Sequence, residues 1–501
     1  MRILKYITTV AVAVMALSAS ALTVAVEPGG LRGAVSDPSA VTDLSVSGSV
    51  NLTDFEFITL EMTSLRQLDL GEATVSGYEG EATALGRTVS PADVLPEGAL
   101  MVATLESVTL PKGLKELGQA ALASSAITSV KLPSTLTALG AKAFAHSANL
   151  KDITIPASVT VMGEGVFEGC VSLESAKVEA SIKVLPPSTF RGCGALQTVS
   201  LPRSLAEVGE KAFAGCSSLT GVSLPASVEK IDARAFYGSG LRNLDLSGCT
   251  SLQSIGDWAF AAVPTLVSVN FPATMERMGT GAFFNNASME FDAIPDGVSS
   301  LSDYSLRGVS APAEVTLPNG LETIGKQAMA NWKGVQVLTL PASLAGIGDE
   351  AMANWTALTT IIADKTQRVP ALGADVWKGV DQPNVTLKVS KEQQEEYMAT
   401  PQWKEFDVKA EQNPTDIAVV DDDDNCGQVT ARFEGLTLRL EAPQDITAVQ
   451  LYDLTGRSYS LPVSDSGTTA VSVDTSAYDS NVMIVRVILA DGSAATLKLS
   501  R

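Results

Sequence analysis

A short motif that recurs about every 23 residues constrains the fold of this chain more than any other feature of its sequence. An apolar residue followed by proline returns with spacings of 22, 23, 46, 23, 47, 23, 23 and 23 residues. The two long spacings are double periods that contain degenerate units near Val178 and Leu246. About eleven units keep one phase, so the sequence predicts an array of stacked repeats. The apolar–proline pairs begin at Leu110, Leu132, Ile155, Leu201, Leu224, Phe271, Ile294, Leu317 and Leu340.

Other positions of the unit keep the same phase. A phenylalanine follows the start of the pair by twelve residues, an alanine usually precedes it, and a glycine stands eight residues after the start. One unit reads Leu201-Pro-x-x-Leu205-x-x-Val208-Gly209-x-x-Ala212-Phe213-x-x-Cys216-x-x-Leu219-x-x-Val222-x-Leu224. The phenylalanines are Phe144, Phe167, Phe190, Phe213, Phe236 and Phe283, with Phe260 close to this phase, and the glycines are Gly118, Gly140, Gly163, Gly209, Gly279, Gly325 and Gly348.

Each part of the unit has a physical interpretation. The segment Leu219-x-x-Val222-x-Leu224 predicts a short strand with inward apolar residues, and the following proline ends the ladder and turns the chain. We expect the glycine to supply a backbone conformation that other residues resist. The phenylalanine is expected to pack beneath its coil. Because no unit can bury this face alone, the pattern predicts a solenoid of short parallel β-strands joined by turns or short helices, with about 23 residues per coil.

The unit resembles the BspA-like, or Treponema-type, leucine-rich repeat, whose pattern is LPxxLxxIGxxAFxxCxxLxxV. The resemblance extends from about Val41 to Phe406. The segments around Leu44 and Leu68 resemble the start of such arrays, and Tyr397-x-x-x-x-Gln402-Trp403-x-x-Phe406 resembles their terminal cap. The resemblance implies an exported surface or secreted protein of the kind found in anaerobic bacteria. Several members of the family are described as adhesins that bind host proteins.

The N-terminus has the pattern of a secretory signal peptide. A cationic segment, 1–5, precedes an apolar stretch, 6–17, and Ala19-Ser20-Ala21 supplies small residues for cleavage. No later segment is long and apolar enough to predict membrane insertion after removal of the signal. We predict a signal peptide at 1–21, the opening segment and cap of the array at 41–109, the solenoid at 110–362, a degenerate last coil and C-terminal cap at 363–410, an acidic linker at 411–426 and a small all-β sandwich at 427–501.

The last part of the chain changes character. From about Ile417 it shows short strand patterns separated by turn signals at Thr455-Gly456 and Asp491-Gly492. The segments 449–457, 484–487 and 497–499 resemble a type IX secretion C-terminal sorting domain. Where that family carries Gly-x-Tyr, this chain has Tyr478-Asp479-Ser480-Asn481. The resemblance implies a sorting signal, and an ordinary accessory sandwich is the alternative.

The composition points away from catalysis. His146 is the sole histidine of 501 residues, which leaves no second histidine for a zinc site and disfavours a histidine-based triad. We therefore predict no enzyme activity, no cofactor and no metal. A net charge of −21 disfavours nucleic acid as a partner, because a phosphate backbone requires a basic surface. The acidic run 421–424 is interpreted as a solvated linker, with a calcium site as the alternative.

One position of the repeat holds cysteine in three adjacent units and tryptophan in two later ones. We expect Cys170, Cys193 and Cys216 to form a ladder of buried free thiols, with disulfides or a metal ladder as alternatives. We interpret Trp332 and Trp355 as core residues. A stacked aromatic strip on the surface, which would bind sugars, is the functional alternative.

The outward positions of the strands are the candidate binding face. A broad, mildly polar row suits contact with a host or neighbouring-cell protein, or with a glycan, better than a small-molecule pocket. The sequence thus predicts an adhesion or protein-interaction module, and a carbohydrate-binding surface protein is the alternative. The candidate residues are Thr109, Lys131, Thr154, Lys177, Ser200, Ser223, Asp245, Asn270, Thr316 and Thr339.

Overall fold

The structure is a computed structural model of the chain. It describes residues 21–290, 292–410, 429–434, 437–453, 458–461, 469–474, 482–490 and 493–500. The predicted signal peptide apart from Ala21, the acidic run 421–424, Cys426 and the segment 478–481 lie outside the described residues. The chain divides into two compact units, the first comprising residues up to 362, 366–386 and 405–407, and the second comprising 363–365, 387–404 and 408–501.

The first unit is a parallel β-solenoid, which confirms the predicted fold class. The solenoid has about 17 turns, with about 23 residues per coil. Most coils place one strand in what we call the long-strand row, where neighbouring coils pair in parallel, as in Thr154 with Lys177 and Lys177 with Ser200. The strands of this row are Ala21–Val26, Asp43–Val50, Gln67–Val75, Ser107–Thr109, Asp152–Ile155, Ser175–Val178, Thr198–Ser200, Asn243–Asp245, Ser268–Asn270, Glu314–Thr316, Val337–Thr339 and Thr360–Ala363.

In the coils that carry the apolar–proline pair, a proline turn leads from the long-strand row to a second strand of two residues. The proline carbonyl accepts a hydrogen bond from the amide three residues later, as from Leu205 to Pro202 at 3.1 Å. The predicted role of the proline is therefore confirmed. The second strands form the short-strand row: Val94–Leu95, Glu116–Leu117, Ala138–Leu139, Val161–Met162, Val184–Leu185, Glu207–Val208, Lys230–Ile231, Ser254–Ile255, Arg277–Met278, Ser300–Leu301, Thr323–Ile324, Gly346–Ile347 and Ala371–Leu372.

A compact turn segment forms the third side of each coil. Its amides also bond to the next coil, as from Phe213 N to the Ala235 carbonyl at 2.7 Å. Two residues of each turn adopt the left-handed conformation, for example Lys211 at φ 56° and Gly215 at φ 74°. Between them lies the buried phenylalanine, which faces the interior that all three sides share.

The phenylalanines pack inside the solenoid, as predicted, and the structure shows that they form one continuous stack. The rings at 144, 167, 190, 213, 236, 260 and 283 lie 5.0–5.5 Å apart between centroids, with interplanar angles of 5–17°. Phe260, which is out of phase in the sequence, joins this stack as well. The stacked rings are fully buried, so each coil completes the core of its neighbours.

The reason predicted for the recurring glycine is wrong. Gly140, Gly163 and Gly209 do not have positive φ values. They stand where adjacent coils approach most closely: a Cβ atom on Gly163 would lie 2.3 Å from the Ala141 nitrogen, and one on Gly209 would lie 2.4 Å from the Leu185 carbonyl oxygen. Glycine is required for close approach of two backbones.

Substitution of Gly163 by alanine is expected to destabilise the solenoid by about 1–3 kcal/mol or more, because backbone atoms would have to move apart. Gly221→Ala is the matched control, since nothing lies within 4 Å of a Cβ atom there. Thermal melting of both variants tests this. Equal melting temperatures for the two variants would contradict the close approach of the coils at Gly163.

The strand predicted at residues 219–224 is absent. Leu219 and Leu224 are buried as predicted, yet the segment forms no strand, and the long-strand row is interrupted there. Gly221 lies within this segment. Glycine weakens strands because it has greater backbone freedom and no side chain to pack against neighbouring strands. The degenerate unit at Val178, by contrast, forms a regular strand, Ser175–Val178.

Short helices and a hairpin accompany the first coils. The helix Leu52–Glu61 begins with a capping box, in which the buried Asp54 accepts a hydrogen bond from the Asn51 amide at 2.9 Å. Asp54 also accepts from the amides of Gly29 and Leu31, so one carboxylate ties the preceding loop to this helix. The remaining elements here are the helix Leu31–Ala34, the 3-10 turn Pro38–Ala40 and the antiparallel pair Tyr78–Glu79 and Val89–Ser90.

The region after residue 362 contains mixed short elements and then an all-β part. In the segment that resembles a cap, Tyr397 and Trp403 are buried and pack edge to face at 5.3 Å. The short elements between residues 382 and 410 are the 3-10 turns Gln382–Asn384 and Trp403–Glu405, the helix Gln394–Ala399, and the strands Thr386–Val389 and Asp407–Ala410.

The C-terminal all-β part has two antiparallel sheets. Residues of both sheets, including Leu438, Leu440, Val485 and Leu497, contribute to one buried cluster. This agrees with the predicted small all-β domain. The first sheet contains Thr430–Glu434, Thr437–Glu441 and Ala470–Asp474, and the second contains Ser458–Leu461, Ile446–Asp453, Val482–Leu489 and Ala494–Ser500.

Candidate functional site

The long-strand row presents its outward side chains to solvent. Nine of the ten candidate residues are exposed, and Thr339 is half-buried. The alternation of each strand produces this arrangement, because Val108 and Leu110 point inward on either side of Thr109. The binding role predicted for these ten residues stays a prediction.

Register aligns these residues into one row. Thr154, Lys177 and Ser200 are direct partners in adjacent strands, as are Asp245 with Asn270 and Thr316 with Thr339. Lys131 and Ser223 follow the same phase but lie outside strands. The row therefore consists of aligned segments separated by irregular coils.

The row extends further toward the N-terminus than the candidate residues. Thr23, Ser45, Asp69 and Thr109 are successive partners in one four-stranded sheet. The sequence contains a signal for Asp69, because it precedes Leu70 as Thr109 precedes Leu110. The leucine-proline pair is missing there, so a search for that pair does not find it.

A second outward row lies two residues earlier in each strand. Together the two rows form what we call the strand face, and carboxylates outnumber cations on it. Lys131 and Lys177 lie among six acidic residues, namely Asp43, Asp69, Asp152, Asp245, Glu290 and Glu314. The second row comprises Asp43, Gln67, Ser107, Ser129, Asp152, Ser175, Thr198, Asn243, Ser268, Glu290 and Glu314.

Hydrogen bonds fix one of these carboxylates. The Asp245 side chain accepts from the Ser247 hydroxyl at 2.6 Å and from the Ser247 amide at 3.0 Å. These bonds, with a smaller contribution from Asn270, lower the pKa of Asp245 below its usual range. The strand face therefore keeps this negative charge in weakly acidic solution.

Two shallow grooves lie at this face. A groove of about 290 Å³ near the N-terminus is lined by Thr23, Ser45, Asp69 and Thr109 with neighbouring outward residues. A second groove, of about 430 Å³, includes Asn270, Phe271, Asp292 and Asp296. Both are open and shallow, which suits contact with part of a larger partner.

The cysteine ladder is buried, as predicted. Cys170, Cys193 and Cys216 are free thiols with no exposed surface, and each donates its S–H to a phenylalanine carbonyl of the previous coil at 3.1 Å. Burial raises the pKa of Cys170 and Cys216 to about 12 and that of Cys193 well above its usual value. Protonated, inaccessible thiols are neither nucleophiles nor metal ligands.

The two tryptophans are buried as well, which confirms the core interpretation. Trp332 and Trp355 stack at 5.7 Å with an interplanar angle of 5°, and neither has exposed surface. Their indole N–H groups donate at 2.8 Å to the carbonyls of Leu306 and Met329. The alternative of an aromatic strip on the surface at these residues is therefore wrong.

In several coils the position shared by these cysteines and tryptophans holds a hydrogen-bond donor, whereas Val263 and Val309 fill it in two others. Asn286 fills it in another coil and donates to the Phe260 carbonyl at 2.8 Å, while Ser147 donates to Leu122. Cysteine, serine, asparagine and tryptophan have in common a hydrogen-bond donor. In the coils that carry a donor, residues of very different size therefore make the same kind of hydrogen bond.

The remaining candidates for chemistry are the single histidine, a metal-binding group and a membrane-spanning helix. His146 lies exposed in a turn with φ 60°. Within the described residues, no group of three or more histidine, cysteine, aspartate or glutamate side chains is arranged to hold a metal ion. A search of the described helices finds none with the length and apolar character needed to cross a membrane.

The repeat region matches a known protein family. Residues 95–197, 183–311 and 284–376 match the family described as BspA type leucine rich repeat region, with six copies. The three matches run without a gap over more than half of the chain. No curated protein matches the chain significantly.

Solved structures of bacterial repeat proteins are similar to this one. A leucine-rich repeat protein from Bacteroides ovatus has a TM-score of 0.54 and 21% identity, over 78% of this chain and 88% of that chain. At this identity the similarity concerns the fold alone. A leucine rich cell surface protein from Faecalibacterium prausnitzii has a TM-score of 0.36 and 18% identity, over 67% and 88% of the two chains. A leucine rich repeat protein from T. pallidum has a TM-score of 0.24 and 21% identity, over 40% and 71%.

Proposed function

The chain belongs to the BspA-type leucine-rich repeat family, and we propose that it is an exported cell-surface or secreted protein that binds a macromolecule through its strand face. The observation that carries this proposal is the alignment of exposed side chains over many coils, as in Thr154, Lys177 and Ser200. A partner that spans several coils can contact these residues together, whereas a small molecule would contact few of them.

The chemistry of the strand face favours a protein partner. Small hydroxyl and amide side chains offer hydrogen bonds, and the excess of carboxylates favours a neutral or basic partner surface. The partner in this proposal is a host or neighbouring-cell protein, and the activity is adhesion. The buried positions of Trp332 and Trp355 remove the feature that favoured sugar binding at the C-terminal coils.

Binding of the protein to a panel of immobilised matrix proteins, beside a glycan array, tests the proposal. We expect the double variant Thr154→Arg, Ser200→Arg to lose at least about tenfold in affinity for a bound matrix protein, because both positions face outward in the long-strand row. The control is Thr160→Arg, Thr323→Arg, which adds the same charge at exposed residues outside this row. Equal loss in both variants, or no matrix protein bound at all, would reject the strand face as the binding surface.

Export is the second part of the proposal. The pattern of residues 1–21 supports passage through the general secretory route, and the resemblance of 417–501 to a sorting domain supports delivery to the surface by type IX secretion. The described C-terminal strands have a buried cluster drawn entirely from residues 429–497. Such a cluster is what a separately folding domain requires.

Deletion of residues 417–501 is expected to leave a folded solenoid that stays within the cell envelope. The reason is that the deletion removes the whole of the buried cluster 429–497 and none of the stacked phenylalanines. Cell fractionation measures delivery, and circular dichroism of the purified fragment measures folding. Normal surface delivery of the truncated protein would exclude a sorting role.

A further inference from the structure

The turn side of the solenoid carries a groove that the strand face does not include. It has a volume of about 460 Å³ and is lined by Arg191, Lys211, Ala214, Arg234, Tyr237 and Trp258. These residues come from four successive coils, so the groove crosses the coils. Its lining contains three cations and, within the described chain, no carboxylate, although the protein carries a net charge of −21.

The cations of this groove differ in their partners. Arg191 contacts Glu168 at 3.0 Å and Lys211 contacts Glu210 at 2.5 Å. Arg234 forms no ion pair among the described residues. Its guanidinium is thus available for two parallel hydrogen bonds to a carboxylate or sulfate group.

Aromatic surface lies directly beside these cations. Tyr237 is 43% exposed, and Trp258 is half-buried and makes an edge-to-face contact with Phe284, with the ring centroids 5.3 Å apart. Aromatic faces at a surface pack against the apolar C–H faces of sugar rings. The groove therefore offers two kinds of contact next to each other, one for an anionic group and one for a ring.

We propose that this groove binds a linear acidic glycan, a polysaccharide that carries carboxylate or sulfate groups. Arg234, Arg191 and Lys211 bind its anionic groups, and Tyr237 and Trp258 pack against its rings. A small anion would leave both aromatic faces unused. An acidic peptide would pair with the cations but would not need the two aromatic side chains. The groove crosses four coils, as a chain-like ligand requires.

Calorimetric titration of the full protein tests the proposal. The probes are heparin oligosaccharides and oligogalacturonate as sulfated and carboxylated glycans, dextran as a neutral glycan, and poly-glutamate as an acidic peptide. We expect binding of at least one acidic glycan, no binding of dextran, and weaker binding as salt is raised. Poly-glutamate binding as tight as that of both glycans would replace the proposal by acidic-peptide recognition, and no binding of either glycan would overturn it.

Matched variants locate the site. Arg234→Gln is expected to weaken glycan binding about tenfold or more. The control is Arg203→Gln, which removes the same charge from an exposed residue outside the groove and should leave binding unchanged. Equal weakening by the two variants would show general charge attraction and overturn the site.

The aromatic contribution has its own comparison. Trp258→Ala should weaken glycan binding, while Trp258→Phe, which keeps an aromatic face, should retain most of it. Thermal melting of each variant separates loss of contact from loss of folding. Unchanged binding in a folded Trp258→Ala variant would overturn the stacking contact. The strand-face variant Thr154→Arg, Ser200→Arg should bind the glycan normally, so this proposal and the proposed adhesion can fail separately.

Discussion

Replacement of Phe213 by alanine is expected to destabilise the solenoid by about 3–5 kcal/mol, the usual cost of removing a buried phenylalanine side chain. Phe213 has no exposed surface and lies in the stack between Phe190 at 5.4 Å and Phe236 at 5.0 Å. The cavity would remove contacts from three coils together. Because each coil contacts its neighbours, the loss should appear first as faster hydrogen exchange of the coils around residue 213, and then as a lower melting temperature.

Phe213→Leu is the control for this prediction. Leu122 and Leu306 occupy the same position of other coils and are fully buried, so the site accepts leucine. We expect this variant to lose clearly less stability than the alanine variant. A melting curve of Phe213→Ala that equals that of the unaltered protein would contradict the position of this residue in the core.

Replacement of Trp332 by alanine is expected to have a similarly large effect, about 3–5 kcal/mol, for a second reason as well as lost packing. Trp332 stacks on Trp355, and its indole N–H donates to the Leu306 carbonyl at 2.8 Å. Alanine would open a cavity and remove the donor to a buried carbonyl. Chemical denaturation followed by circular dichroism measures the change.

Trp332→Phe separates the two contributions. The variant keeps an aromatic ring and removes the N–H donor, so we expect an intermediate loss that includes about 1 kcal/mol for the hydrogen bond. If Trp332→Ala kept full stability and instead lost a bound ligand, the residue would be a surface residue and not part of the core.

The hydrophobic phase of the sequence was sufficient to predict the fold. Phenylalanine and cysteine recur at fixed positions of the unit, as at Phe167 and Cys193. In a solenoid, a position that is buried in one unit has the same surroundings in the next. The identity of the residue at the donor position needed the structure, because cysteine and tryptophan share a donated hydrogen bond that size and hydropathy do not indicate. The structure was also needed to explain Gly163, because the backbone that approaches this glycine belongs to the previous coil.

The candidate site was predictable in part. Alternation along each strand indicates which side chains face outward, so Thr154 and Ser200 could be found from the sequence. The groove on the turn side could not, because only Lys211 and Arg234 share a charge at one phase of the repeat, while Trp258 is uncharged there and Arg191 lies at another phase. The left-handed turn positions also escaped prediction, since long side chains such as Arg234 occupy positions where other coils have glycine.

Cross-linking of paired cysteines on the strand face tests most directly whether a fixed 23-residue register aligns the outward residues. Thr154 and Lys177 are register partners in adjacent strands, whereas Ser200 lies one strand further from Thr154. Parallel strands lie about 4.8 Å apart, so a short bifunctional thiol reagent should join Thr154→Cys to Lys177→Cys and should not join Thr154→Cys to Ser200→Cys. Mass spectrometry of the digested protein identifies the linked pair. Linkage of 154 to 177 alone is the result expected from this register, and linkage of 154 to 200 without linkage of 154 to 177 would contradict it.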